Sequence, residues 1–257
     1  MRRAWRRLRR SLWLIVHLAL GSLLCAGWLV PLAKLRPRAA AQQRARLVRW
    51  WMRSLLAILN VRLHSTGTPH CAPALIVSNH ISWLDIPCQF ACLDGVFVAK
   101  SDVARWPLIG ALASGIGTIF LARGRASDAT AERMTWLLAQ GERVVIFPEG
   151  TSSDGTEVGI FHARLFQAAI RAGTVVQAVA IHYPHFQGLS PIVPFVGDDD
   201  FVRHLWRLLG EEAIEAQLHF CGPLAAAGQE RRALAAHTRG QIRAALGLDA
   251  SPVQDAV

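Results

Sequence analysis

The sequence lacks a framework of paired cysteines: Cys25, Cys71, Cys88, Cys92 and Cys221 are odd in number and scattered. A disulfide-stapled scaffold is thereby excluded, and free thiols suit a reducing compartment. Cys88 and Cys92 lie one helical turn apart, close to His80 and Asp85, but read as small apolar fillers of a buried helix face and not as metal ligands. No Gly-x-Ser-x-Gly elbow supplies a hydrolase nucleophile. Nucleic-acid motifs, internal repeats and low-complexity stretches are also missing. Between Arg10 and Lys34 there is no charged side chain at all.

That uncharged run, Ser11 to Ala33, is long enough as a helix to cross the roughly 30 Å hydrocarbon core of a bilayer. It outruns the apolar segment of a secretory signal, and Lys34 to Arg38 is a poor cleavage context, so a retained anchor is expected. Lys and Arg number 28 against 18 Asp and Glu, for a net charge of +10. The excess sits beside the apolar run: Arg2, Arg3, Arg6, Arg7, Arg9 and Arg10 precede it, and Lys34, Arg36 and Arg38 follow. That placement points to anionic headgroups and not to nucleic acid. Positive charge at both ends gives no clean orientation; a segment dipping into one leaflet from the cytoplasmic side fits as well as a span.

Three regions are expected. Residues 1–38 form a basic N-terminus and membrane anchor helix, and residues 39–64 an amphipathic interfacial helix in which Arg44, Arg46, Arg49 and Arg53 interleave with Trp50 and Trp51. Ser65 to Pro69 is a break, and residues 65–257 form the globular domain. Within it, short apolar runs alternate with helical patterns. Strands are expected at Ala74–Val77, Val96–Ala99, Gly117–Leu121, Arg143–Phe147 and Val175–Ile181, and near Gln217–Phe220. Helices are expected at Trp83–Leu93, from Ser127 to Gln140 with Gly141 as its stop, at Phe161–Ala172, and from about Glu230 to Leu246. This alternation predicts an α/β domain with a central, mostly parallel sheet.

Chemistry-bearing residues cluster at the ends of these strands. His80 and Asp85, in Ser78-Asn79-His80-Ile81-Ser82-Trp83-Leu84-Asp85, do not share a face of a regular helix. They meet if His80 occupies the turn after the first strand and Asp85 the first helical turn. The carboxylate then fixes the imidazole tautomer and yields a base able to take a proton from an alcohol. Arg123, at the end of Gly117-Thr118-Ile119-Phe120-Leu121-Ala122-Arg123, suits a phosphate or carboxylate, with Arg125 a competitor for the role. In Phe147-Pro148-Glu149-Gly150-Thr151, Pro148 and Gly150 sharpen a turn that can present Glu149 and nearby backbone N–H groups to a ligand.

These segments, in this order, resemble the lysophosphatidate acyltransferase family of glycerolipid synthesis, from about Val61 to Leu224. Phe97-Val98-Ala99-Lys100-Ser101 and Trp106-Pro107-Leu108-Ile109-Gly110 belong to the same likeness. The resemblance implies transfer of a fatty acyl group from an acyl carrier protein or coenzyme A thioester to the hydroxyl of a lysolipid in a membrane. It implies neither a metal nor another cofactor, and no acyl-enzyme. His80 would be the general base and Asp85 its orienting partner; Arg123 would hold the acceptor headgroup, and Glu149, Gly150 and Thr151 would shape the acceptor site. The inner membrane, with the catalytic domain facing the cytoplasm, is the implied location. Two family cations are replaced here, by Ser152 and His162, and Ala178 stands where the family has a proline. Those changes, with Ser152-Ser153-Asp154-Gly155, Gly197-Asp198 and His204-Leu205-Trp206, look more like the lyso-ornithine lipid acyltransferase branch, whose acceptor carries no phosphate. Asp154 would either answer that acceptor's amino group or serve its own turn, and the turn role is the favoured one.

Overall fold

The computed structural model describes residues 1–25, 27, 37–71, 73–100, 104, 109–115, 118–121 and 128–249. Helix α1 (Arg2–Leu24) leads to α2 (Pro37–Leu59), β1 (Val61–Thr66), β2 (Ala74–Ser78) and α3 (Asp85–Cys92). Next come β3 (Val96–Lys100), α4 (Ile109–Gly115), β4 (Ile119–Leu121), α5 (Asp128–Ala139) and β5 (Val144–Ile146). A 3-10 turn (Ala163–Phe166) runs into α6 (Gln167–Ala172) and β6 (Val175–His182), followed by the small hairpin β7 (Pro184–His185) and β8 (Gly188–Leu189). The chain continues with α7 (Phe201–Leu209), β9 (Ile214–Phe220), β10 (Leu224–Ala225) and α8 (Arg231–Ala245).

The main sheet has the order β1-β9-β6-β2-β5-β3-β4, with β10 pairing the start of β6. All neighbours are parallel except β6–β9 and β6–β10, so the expected mostly parallel sheet is present in mixed form. Period-2 alternation splits its core in two. Ile76, Val145, Val179 and Leu218 face α2, α3 and α7, together with Leu56, Leu59, Leu84 and Leu208. Leu75, Val77, Val144 and Val176 face the opposite side, against Met134, Leu138, Phe166, Leu234 and Ile242. Burial of both faces explains why these strands read as continuous apolar runs.

Most expected elements are where the pattern put them, with shorter ends. Gly141 takes φ 88° and stops α5, a left-handed position that a side chain would strain. The Phe161–Ala172 helix is divided, its first turn being 3-10. The expected boundary at Ser65 falls inside β1, which pairs along its length with β9 at the sheet edge. Helix α7 and the β7–β8 hairpin were not among the expected elements.

The N-terminus departs most from expectation. Among the described residues, no helix is long and apolar enough to cross a membrane. Residue 26 and residues 28–36, in the later part of the expected anchor, lie outside the described residues. Several of the arginines read as headgroup ligands are instead spent inside the protein. Arg6 donates to the carbonyl of Gly210, Arg7 to that of Trp206, and Arg10 to those of Leu209, Glu211 and Glu212. Arg3 pairs with Glu211. These carbonyls lie at and beyond the C-terminal end of α7, where the backbone lacks helical partners and the helix dipole attracts cations. Opposite this clamp, α1 shows solvent an apolar stripe of Trp5, Leu8, Leu12, Trp13, Ile15, Val16, Leu20 and Leu23. At 100° per residue, all eight fall within one half of the helix circumference.

Candidate active site

β2, β5 and β6 are neighbours in the middle of the sheet and run parallel, so their C-terminal ends open on one edge. Crevices outside such ends are where α/β proteins bind ligands. His80 stands two residues beyond β2, and Phe147 to Gly150 follow β5 directly. Asn79 bridges the gap between β2 and β6. Its side-chain amide donates to the Ile181 carbonyl at 2.8 Å and its Oδ1 accepts the Ile181 N–H at 2.9 Å, continuing the ladder where the strand has turned away.

The imidazole of His80 is fixed on every side but one. Its Nδ1 lies 2.7 Å from Asp85 Oδ2. A carboxylate only accepts, so Nδ1 carries the proton and the lone pair is on Nε2. The ring stacks on Phe147 with centroids 4.1 Å apart. The His80 backbone N–H donates to Glu149 Oε1 at 2.8 Å, and its carbonyl accepts the Ser153 N–H at 2.8 Å. The His80 side chain is 22% exposed, while that of Asp85 is fully buried. Asp85 Oδ2 also accepts the N–H groups of Ile81 and Ser82, which bends the loop back over the helix start. Its Oδ1 accepts the hydroxyl of Tyr183 at 2.7 Å.

Glu149 joins two loops: Oε1 takes the His80 amide and Oε2 the Gly159 amide at 2.7 Å. Burial raises its pKa above the usual carboxylate value, and the two backbone donors oppose that rise. A Cβ on Gly159 would come within 2.7 Å of Oε2, so a side chain there would break the clasp. Gly150 has φ 72° and passes under the His162 ring; Thr151 is exposed beside it. Ser152, in place of the family arginine, donates to the Phe195 carbonyl. Asp154 is engaged in its own turn, where Oδ1 accepts the Thr156 N–H and hydroxyl; those bonds lower its pKa. Ala178 is buried in the core and lines no cleft. Arg123 and Arg125 lie outside the described residues.

The structure thus brings together His80, Asp85, Glu149, Gly150 and Thr151 from the two motifs. It adds Asn79, Phe147, Ser153 and Tyr183, which sequence reasoning did not single out. Asn79 and Phe147 stood inside the quoted motifs and gave a local signal; Tyr183 gave none, being 98 residues from Asp85.

Comparison with known proteins agrees with this geometry. The family model described as Acyltransferase matches residues 60–182. The chain is 38% identical over 250 residues to a lyso-ornithine lipid O-acyltransferase of Pseudomonas aeruginosa, covering 97% of this chain and 96% of that one. It is 33% identical to a 1-acyl-sn-glycerol-3-phosphate acyltransferase of Neisseria meningitidis, over 77% and 80% of the two chains. The crystal structure of the 1-acyl-sn-glycerophosphate acyltransferase PlsC from Thermotoga maritima superposes with a TM-score of 0.68 at 19% identity, covering 96% of this chain and 98% of that one, and so shares the fold. A hydrogen-bonded His80–Asp85 pair at the C-terminal ends of parallel strands and a near-full-length match at this identity lead to one conclusion: this chain belongs to the acyltransferase family.

Proposed function

We propose that the protein is a membrane-associated O-acyltransferase that moves a fatty acyl group from an acyl carrier protein or coenzyme A thioester to the hydroxyl of lyso-ornithine lipid. The observation that carries this reading is His80, whose ring, amide and carbonyl are all held so that Nε2 alone is left to act. Nε2 takes the acceptor's hydroxyl proton as its oxygen attacks the thioester carbonyl. Asp85 stabilises the imidazolium that forms. Collapse of the tetrahedral intermediate forms the ester and breaks the C–S bond, and the imidazolium returns the proton to the leaving thiolate. Glu149, Gly150 and Thr151 shape the acceptor side by holding the wall beside His80, and Arg123 holds the headgroup carboxylate.

The choice of acceptor rests on Ser152 and His162. Ser152 spends its hydroxyl on Phe195 and brings no charge. A phosphate acceptor would face fewer fixed cations here than the family pattern supplies. The near-full-length likeness to the Pseudomonas aeruginosa enzyme favours the same side. The stripe on α1 suits a helix lying along the headgroup–acyl boundary of the inner membrane, with the catalytic domain on the cytoplasmic side, where free thiols persist.

The test is to offer lyso-ornithine lipid and 1-acyl-sn-glycerol-3-phosphate in parallel to membranes carrying the protein, with either thioester, and identify products by mass. Ornithine lipid should dominate, with free thiol released only when acceptor is present. Preference for the phosphate acceptor overturns the acceptor assignment. Thiol release without acceptor indicates a thioester hydrolase, and no release with any acceptor a lipid-binding protein on this scaffold.

A further inference from the structure

Asp85 has two carboxylate oxygens with different tasks. Oδ2 already accepts from His80 Nδ1 and from the N–H groups of Ile81 and Ser82. Oδ1 accepts the Tyr183 hydroxyl, at 2.7 Å. Both side chains are buried, Asp85 completely and Tyr183 to 2% exposure, so water is not at hand to take the hydroxyl's place. A buried phenol hydroxyl costs stability unless paired, and phenylalanine would fill nearly the same volume without that cost. The Cys88 thiol, on the same face of α3 as Asp85, adds to the upward push on this hydroxyl's pKa. Burial, with Asp85 beside it, keeps the phenol protonated far above its ordinary range, so it donates at every working pH. The backbone at Tyr183 is itself anchored, its carbonyl accepting the Ser190 N–H across the base of the β7–β8 hairpin.

We propose that Tyr183 is a positioning residue for the dyad, setting through Asp85 Oδ1 how strongly the carboxylate attracts the Nδ1 proton of His80. The inference rests on the reading of His80 as base. A carboxylate that loses one donor becomes the stronger acceptor toward those that remain. The imidazolium is then favoured, and His80 is neutral only at higher pH. The titratable groups facing this centre are Asp85 and Cys88 from α3, Tyr183 after β6, and Glu149 from the loop after β5, which holds the His80 amide; His162 lies across Gly150.

The experiment compares the full-length enzyme with Tyr183→Phe in membranes across pH, reading kcat and KM, and follows the His80 imidazole by 15N NMR in detergent. The expected result is a fall in kcat of roughly ten- to a hundredfold, as for loss of a bond to a charged group, with KM for the lysolipid little changed. The ascending limb of the kcat profile and the His80 titration should both move to higher pH, by several tenths to about one unit. Tyr183 is the sole tyrosine of the chain. Biosynthetic fluorotyrosine therefore enters at that position alone, and as a stronger donor should move both to lower pH. It serves also if Tyr183→Phe fails to fold. A loss of kcat with an unmoved limb and unmoved titration would assign Tyr183 to packing and overturn the proposal, as would wild-type behaviour in both variants. If His80→Ala stays active, the base reading fails separately, while the NMR titration still reports whether Tyr183 acts on the pair.

Discussion

At His80 a single ring atom is free to react, and the surrounding bonds serve to aim it. His80→Ala should therefore cut turnover by at least a hundredfold while leaving the melting temperature and membrane association near wild type, as measured by thiol release and thermal denaturation. Glu149 acts on the same histidine from behind, through its backbone. In Glu149→Gln, one end of the amide must turn its NH2 toward the N–H of His80 or Gly159, so one of two charge-assisted bonds becomes a donor–donor contact. A loss of about 1–3 kcal/mol of stability follows, with a drop in kcat; a thermal melt together with steady-state kinetics checks both. Undiminished stability and rate would remove Glu149 from its clasping role. The dyad itself was legible in the sequence, because His80 and Asp85 are close along the chain and the turn between them is short. Tyr183 and the Glu149–Gly159 bond were not, because they depend on which loops the sheet brings together. Asp154 takes the turn role that the sequence favours over an answer to an amino group, with its Oδ1 accepting from Thr156.

The strands were legible as elements because each is buried on both faces and reads as an apolar run. β1 was missed for the opposite reason: it is an edge strand with a single buried residue, Val61, and its polar positions resemble a loop. Helix α7 hides its start signal in Asp198-Asp199-Asp200, where Asp200 accepts the Arg203 N–H as N-cap. Its partner α1 reads from sequence as the start of an anchor, and nothing local announces that Arg10 reaches the carbonyl of Leu209, 199 residues away. The second fixation of α1 is its crossing with α2. His17 stacks on Trp51 at 4.5 Å and meets the Ser54 hydroxyl, and Gly21 leaves room for the Trp51 ring, which a Cβ would approach to 2.7 Å. Burial holds the pKa of His17 down to about 4 from 6.5. A histidine depressed in the fold contributes stability that is complete above its unfolded value and declines as pH falls toward the folded one. The α1–α2 contact should thus weaken between pH 6.5 and about 4, seen as lower protection factors for the α1 amides. His17→Phe, which keeps the stack without the charge, should remove that dependence; persistence in the variant would assign it elsewhere.

At the scale of the whole molecule, the arginine clamp determines which way α1 faces. With Arg6, Arg7 and Arg10 fastened to the end of α7, the apolar stripe of α1 is left exposed among the described residues and points away from the domain. The same helix α7 reaches the catalytic loop at its other end. His204 accepts the Trp83 indole N–H through Nδ1, and the Trp83 ring meets Phe201 edge-on at 5.2 Å. One rigid element therefore connects the proposed lipid-facing helix to the loop that carries His80 and Asp85, and keeps the dyad at a set position relative to the surface proposed to deliver the acceptor. Removing apolar area from the stripe should then weaken delivery without touching the chemistry. Leu12→Glu and Ile15→Glu, at positions 63% and 64% exposed, should each reduce partition onto vesicles containing anionic lipid by about tenfold or more. Activity on membrane-embedded lysolipid should fall in parallel, while activity on detergent-dispersed acceptor stays near wild type. Co-sedimentation with vesicles and a paired assay in bilayer and detergent separate the two effects. Unchanged sedimentation of both variants would take the stripe on α1 out of membrane contact and leave the acceptor to arrive by another face.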